Sequence, residues 1–134
     1  MRFMLFVYPD ESDEGPTLEL VEAMNRYNEE LSKAGALLAL DGLLPPSTAT
    51  RLSFSGGERP TVTDGPFTEA KEFVGGYWII QARSKEEAVE LASRAPIGDG
   101  TIEVRQIAEG SDYSPEIEAA AKLSQEPPEQ TTAE

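Results

Sequence analysis

The chain has 134 residues and contains neither cysteine nor histidine. These absences exclude disulfides, thiol nucleophiles, imidazole bases, Ser-His-Asp triads and ordinary zinc or copper sites. The formal net charge of −14 opposes binding to nucleic acid and to anionic membranes. No apolar run approaches the ~18 residues of a membrane span, and no phosphate loop or dinucleotide-binding glycine pattern occurs. We therefore expect a cytoplasmic protein without cofactor or bound metal.

The chain begins with a predicted strand over residues 2–8, which is rich in aromatic and branched side chains. Both faces of this strand are apolar; alternate positions are Phe3, Leu5 and Val7 on one face and Met4, Phe6 and Tyr8 on the other. A strand that is apolar on both faces is covered on both faces. One layer of helices covers only one of them, so something else must cover the other.

A helix is predicted over residues 17–34, where apolar side chains recur at helical spacing at Leu20, Met24, Tyr27 and Leu31. Pro16 suits the first helical position, and Gly35 is placed to end the helix. A short strand over residues 36–40 is expected next, ended by a turn at Asp41-Gly42.

The remaining predicted elements complete a β-α-β-β-α-β order; they are strand segments over 49–55 and 61–63, a strand over 73–82, a helix opened by a Ser84/Glu87 capping box, and a strand over 101–107. This order predicts a ferredoxin-like α+β fold, with a four-stranded antiparallel sheet and both helices on one face. The apolar open face predicts a homodimer in which two sheets pack face to face.

The domain boundary is predicted near residue 108. Residues 109–134 carry seven acidic side chains and one basic side chain, whereas the compact domain is expected over 1–108. A short helix that starts at Pro115 is expected in this acidic C-terminal tail. The segment after Gln125 lacks large apolar side chains and is predicted to be disordered.

One stretch is highly distinctive: VTDGPFTEAKE at residues 62–72, followed by GGYWII at 75–80. It resembles the DGPF-domain proteins of the YCII-related superfamily, and the resemblance extends over residues 2–107. It implies a ferredoxin-like fold that forms a dimeric α+β barrel. Members are often encoded beside extracytoplasmic-function sigma factors of bacteria, which implies a regulatory context and a partner linked to a sigma factor. Most members lack an assigned activity.

Some YCII-related proteins carry a His-Asp pair proposed as a catalytic dyad, and this chain has no histidine to form one. Asp64 therefore does not inherit a role that needs a histidine partner. The Asp64-Gly65-Pro66 segment is open to two interpretations. It forms a rigid turn, or it directs Asp64, Glu69 and Lys71 into a cleft beside the sheet. Lys71 likewise belongs either to a solvated salt-bridge cluster or to a ligand site.

On the last strand, Arg105 and Glu103 share the face opposite Ile102 and Val104, toward the expected dimer cavity. They form an ion pair at the rim, or Arg105, with Arg51, receives an anionic group of a ligand. Aromatic side chains that would wall such a pocket are Tyr8, Tyr77 and Trp78, although strand aromatics also serve as plain core or interface.

Two functions stay open on the sequence. The first is a small dimeric module that binds a small molecule or a protein partner. The second is a small-molecule enzyme of isomerase or lyase type, in which Asp64 or Glu69 is the base and Lys71 or Arg105 holds the substrate. A buried carboxylate beside a cation favours the enzyme, and a solvated loop favours the binding module.

Overall fold

The computed structural model describes residues 1–9, 16–65 and 73–125, with the backbone alone for 122–125. The described strands and helices, in chain order, are β1 Arg2–Tyr8, α1 Leu18–Lys33, β2 Leu37–Gly42, β3 Thr50–Ser53, β4 Thr61–Asp64, β5 Gly76–Gln81, α2 Lys85–Ser93, β6 Thr101–Gln106 and α3 Pro115–Gln125. Short 3₁₀ turns precede β3 and α3, at Pro46–Thr48 and Gly110–Asp112. No described helix is long and apolar enough to cross a membrane.

The main sheet is four-stranded and antiparallel, in the order β2-β5-β1-β6. Together with α1 and α2, these strands give the β-α-β-β-α-β arrangement, so the predicted ferredoxin-like α+β fold is confirmed. The other two strands, β3 and β4, pair with each other as a separate hairpin. This hairpin is an insertion between the second and third strands of the main sheet.

The hydrophobic core lies between one face of this sheet and the two helices α1 and α2. Phe3, Leu5 and Ile80 are fully buried there. Tyr27 and Leu31 from α1 and Ala88 and Ala92 from α2 pack in the same core. The alternation predicted for β1 is therefore confirmed on this face, where odd-numbered side chains of the strand point toward the helices.

Helix α1 has a side-chain cap at its N-terminus and a backbone cap at its C-terminus. It begins at Leu18 because the Thr17 hydroxyl accepts a hydrogen bond from the Leu20 amide at 3.1 Å. Pro16 therefore precedes the cap, and its predicted place at the first helical position is wrong. At the other end Gly35 has φ of 72°, and the Ala36 amide donates to the Leu31 carbonyl. This glycine-based ending is the one predicted.

Strand β2 is longer than the sequence suggested. The ladder runs through Asp41 and Gly42, which lie opposite Tyr77 and Gly76 of β5. The predicted turn at Asp41-Gly42 is therefore wrong. Two glycines allow this close pairing, because a Cβ on Gly76 would lie 2.9 Å from the Asp41 carbonyl oxygen.

Strand β5, in contrast, begins at Gly76 rather than at residue 73. The reason lies in its neighbour, since β1 ends at Tyr8 and is followed by Pro9, which has no amide proton for a ladder. Pro9 also lies close to the incoming chain: a Cβ on Gly75 would be 2.9 Å from its Cγ. Strand β5 is therefore limited to the residues that pair with β1, and it begins at Gly76.

A bidentate ion pair connects the C-terminal segment to β1. Arg2 Nε and Nη2 donate to the two carboxylate oxygens of Glu109 at 2.9 and 3.3 Å. Glu109 and Asp112 then form a reciprocal capping box at the turn that leads to α3. The hydrogen bond from Arg2 holds the pKa of the Glu109 carboxyl below its ordinary value. The division into a domain over 1–108 and a tail stays a prediction, and residues 126–134 lie outside the described chain.

We expect Glu109→Gln to destabilise the fold at neutral pH but not in acid. A carboxyl whose pKa is lowered by folding contributes stability above its unfolded pKa, and that contribution is lost as pH falls through the folded value. The difference in free energy of unfolding between wild type and variant should therefore shrink below pH 4.5, the ordinary value for this group. Urea titrations at several pH values measure it. Glu58→Gln, which removes the same charge from an exposed turn, is the control; a pH-independent difference for Glu109→Gln contradicts the prediction.

Candidate functional site

The side of the main sheet opposite α1 and α2 is the candidate site, and we call it the open face. Its centre consists of half-buried side chains, which are Met4, Phe6 and Tyr8 from β1 and Tyr77 and Ile79 from β5. The register places Phe6 directly opposite Tyr77 and Met4 opposite Ile79. Side chains opposite each other in an antiparallel ladder are in contact range. The open face therefore has an apolar, largely aromatic centre.

One border of the open face carries a hydrogen-bonded polar pair. The Tyr77 hydroxyl donates to Asp41 Oδ2 at 2.8 Å, across the β2–β5 ladder. This bond raises the pKa of Tyr77 above the ordinary value of a phenol, so the ring carries no charge at neutral pH. The sequence reasoning missed Asp41, because it assigned this residue to a turn instead of a strand.

The other border of the open face is formed by β6. Arg105 lies opposite Met4, and Glu103 lies opposite Phe6. The guanidinium carbon of Arg105 is 6.0 Å from the centroid of the Phe6 ring, within the range of a cation–π contact. The predicted orientation of Glu103 and Arg105, opposite Ile102 and Val104, agrees with this register. A cation thus already rests over the aromatic centre of the face.

The structure distributes the predicted site residues over two sheets. Tyr8, Tyr77 and Arg105 share the open face, as their register shows. Arg51 lies on β3, in the separate hairpin, opposite Thr63. The grouping of Arg51 with Arg105 in one anion site therefore has no support from the strand pairing.

Asp64 also lies in the hairpin, at the end of β4. It is exposed, and it accepts a hydrogen bond from the Thr50 hydroxyl at 2.7 Å across the β3–β4 ladder. The other two residues proposed with it, Glu69 and Lys71, lie outside the described residues. Their proposed roles therefore remain predictions.

Trp78 is not part of the open face. Its side chain is 5% exposed on the covered side of the sheet, where it lies opposite Leu5. The indole Nε1 donates to Asn28 Oδ1 at 2.7 Å, and the ring meets Tyr27 edge to face, with 5.3 Å between centroids. The prediction that Trp78 walls a ligand pocket is therefore wrong, because its neighbour Tyr77 takes the open side of the strand.

Two other features of the described residues do not form a site for the predicted functional side chains. A shallow groove of about 440 Å³ lies at one end of the sheet, beside Gly35, Gln81 and Arg83. None of the predicted site residues lines it. Among residues 1–9, 16–65 and 73–125, acidic side chains form no group of three arranged to hold a metal ion. The open face therefore remains the strongest candidate for a site.

The fold and the open face define the chain as a ferredoxin-like α+β protein with an aromatic sheet surface bordered by polar side chains. A sequence profile described as the YCII-related domain matches residues 1–111. The chain belongs to the YCII-related family, and the resemblance inferred from the DGPF stretch is confirmed.

The chain is similar in sequence to a relative and in structure to a solved protein. It is 34% identical over 120 residues to an uncharacterized protein of Rhizobium meliloti (strain 1021), covering 81% of this chain and 93% of the relative. A structural likeness is found to the 5-chloro-2-hydroxyhydroquinone dehydrochlorinase of Burkholderia phenoliruptrix AC1100, solved in complex with 2,5-dihydroxybenzoquinone. That match has a TM-score of 0.48 and 15% identity, and it covers 85% of this chain and 100% of the other.

Proposed function

We propose that the chain is a homodimeric, cytoplasmic binding module whose two open faces meet and enclose a site for a small molecule. The observation that carries this proposal is the composition of the open face. Its centre is half-buried and aromatic, while hydrogen-bonding groups stand at both borders, Asp41 with Tyr77 on one side and Glu103 with Arg105 on the other. Ligand sites combine an apolar lining with a few placed polar groups in this way.

The chemistry of the two borders indicates the class of ligand. The Tyr77 proton is already donated to Asp41, so this border offers mainly hydrogen-bond acceptors. Arg105 supplies donors at the opposite border. A fitting ligand therefore has a flat apolar or aromatic body, a donor at one end and an acceptor or anionic group at the other.

The described residues favour binding over catalysis. No polar or charged side chain among them is buried, so none of their carboxylates has the enclosed position in which a general base gains its raised pKa. Asp64, the first catalytic candidate, is exposed and bonded to Thr50. The enzyme alternative is supported by one observation, the Asp41–Tyr77 pair, in which a carboxylate contacts a neutral phenol that is able to move a proton.

A protein partner linked to a sigma factor in a bacterial regulatory context is the other occupant that we propose for this site. Its support is the family resemblance, and it predicts that the purified protein carries no small molecule. Capture of a sigma factor from the source organism by the tagged chain, and its loss on blocking the open face with Ile79→Gln, would test this occupant directly.

The dimer is tested first, by sedimentation velocity over a range of micromolar concentrations. Ile79→Gln places an amide in the apolar centre of the open face and should raise the dimer dissociation constant by about tenfold or more. Val89→Gln, at an exposed position of α2, is the matched control and should leave it unchanged. A wild-type monomer would refute the dimer, and equal effects of the two variants would refute the open face as its interface.

The ligand is tested by native mass spectrometry of the freshly purified protein. We expect two chains with a small adduct, and loss of that adduct in Asp41→Asn but not in Asp64→Asn, which removes an equal charge in the hairpin. An adduct that survives Asp41→Asn contradicts the assigned site. If Tyr77→Phe keeps the adduct intact while wild type converts it to a new mass, the enzyme alternative replaces the binding module.

A further inference from the structure

The hairpin formed by β3 and β4 has one apolar side, and that side is exposed. Leu52 and Val62 lie directly opposite each other in the ladder, and Phe54 follows in the chain just beyond the end of β3. Their side chains are 52%, 61% and 76% exposed, respectively. The other side of the hairpin is polar, with Arg51 opposite Thr63 and Ser53 opposite Thr61. The strands thus alternate like those of a sheet with one side packed against another surface. In the described residues, no other element covers the apolar side of the hairpin.

The hairpin receives little support from the rest of the described residues. Its extensive contacts are those between β3 and β4 themselves. At its base, the Gly65 amide donates to the Ala49 carbonyl at 2.8 Å. A two-stranded hairpin on its own is marginally stable in water. A further surface that covers its apolar side would stabilise it.

The charge of the hairpin differs from that of the chain. Residues 49–65 contain two basic side chains, Arg51 and Arg59, and two acidic ones, Glu58 and Asp64, so this segment is neutral. The whole chain carries −14. Two copies of such an acidic chain repel each other. Self-association is therefore least opposed where neutral surfaces such as this one meet.

The size of the open face gives a reason why a dimer needs more surface. Four strands of about six residues span an area of about 20 Å by 20 Å, or roughly 400 Å² on each copy. Two such faces together supply about 800 Å², while stable protein interfaces bury about 1,200–2,000 Å². Measured as flat area, the open faces alone are smaller than the surface that a stable interface buries. An additional apolar surface next to the open face would close the difference.

The hairpin lies at a suitable place in the chain. The segment that contains it leaves the main sheet after Gly42 and returns at Gly76, and these two residues pair with each other. They adjoin Asp41 and Tyr77, the polar pair at the border of the open face. The hairpin therefore originates at the border of the surface that we propose as the dimer interface.

We infer that the β3–β4 hairpin is a dimerisation arm, whose apolar side packs against a second copy of this chain at the border of that copy's open face. This inference rests on the proposed homodimer. In a twofold dimer each copy contributes one arm and receives one, so the interface gains two equivalent patches. The arms also border the enclosed site, at the side where Asp41 and Tyr77 lie.

The test compares dimer dissociation constants by sedimentation velocity for three forms of the full chain. Leu52→Ser combined with Val62→Ser removes apolar surface from the hairpin without changing net charge. We expect this variant to dissociate about tenfold more readily than wild type. Val89→Ser, at an exposed position of α2, is the matched control and should match wild type. Because all three positions are exposed, circular dichroism should show unchanged folding of the main sheet.

The outcomes distinguish the dimerisation arm from the proposed homodimer on which it rests. A wild-type monomer overturns both. A wild-type dimer that Ile79→Gln weakens but the hairpin variant leaves intact overturns only the arm. Equal weakening by the hairpin variant and by Val89→Ser also overturns the arm, since the effect then does not depend on the hairpin. Weakening by both Ile79→Gln and the hairpin variant, with Val89→Ser unchanged, supports it.

Discussion

Ile80→Ala should lower the free energy of unfolding by about 2–5 kcal/mol, the usual cost of removing a large aliphatic side chain from a packed core. Ile80 is completely buried between the sheet and the helices, opposite Phe3 of β1. The change leaves a cavity that close-packed neighbours fill only in part. Since small domains are stable by only about 5–15 kcal/mol, a loss of this size is a large share of the total.

The adjacent residue provides the control. Ile79 is half-buried on the opposite side of the same strand, so Ile79→Ala removes the same atoms from the open face. Urea denaturation at a concentration where the protein is monomeric should show a clearly smaller loss for Ile79→Ala than for Ile80→Ala. Equal losses would mean that both faces of the sheet are packed to the same degree in one chain, which contradicts the assignment of an open face.

Asn28→Ala should cost about 1–3 kcal/mol of unfolding free energy, the penalty for leaving a buried donor without its partner. The Trp78 indole proton is donated to Asn28 Oδ1 at 2.7 Å, and the Trp78 side chain is almost wholly buried. With the amide gone, the indole nitrogen keeps its position beneath α1 but loses its acceptor. Truncating Asn28 also removes some packing on α1, and the control has to separate these two effects.

Asn28→Asp is that control, because it keeps an oxygen at the position of the acceptor and has a similar volume. We expect Asn28→Asp to retain more of the wild-type stability than Asn28→Ala in urea denaturation at neutral pH. If the two variants lose the same amount, the hydrogen bond does not account for the effect of the alanine substitution.

The fold was largely predictable from local patterns, since α1, α2 and the strands of the main sheet follow hydrophobic spacing that depends on single elements. Strand parity separated the two faces of β1 without deciding which one is open, and in β6 it gave the correct open-face residues, Glu103 and Arg105. Parity allows only one of the adjacent residues Tyr77 and Trp78 on the open face, but either aromatic side chain suits a core. Only the pairing of Trp78 with Leu5 decides which of them faces the helices.

The candidate site was less predictable, because it depends on register between strands that are distant in sequence. Asp41 and Tyr77 are 36 positions apart, and their contact follows from the extension of β2 by two residues. Asp-Gly is a common turn signal, which favoured the wrong boundary. The residues directly before Asp41 are all apolar, so no alternation there signalled a longer strand. Arg51 was grouped with Arg105 by charge alone, and strand pairing assigns them to different sheets.

The chain has a single tryptophan, and its location determines what optical experiments on this protein are able to detect. Trp78 lies on the covered side of β5, against Tyr27, whose pKa burial raises to about 12. Its fluorescence emission therefore changes when the core is lost during unfolding. The emission changes little when the open face is covered. The phenol of Tyr77, one residue earlier on the same strand, lies on the open face instead. The single tryptophan therefore reports on the covered side of the sheet and not on the open face.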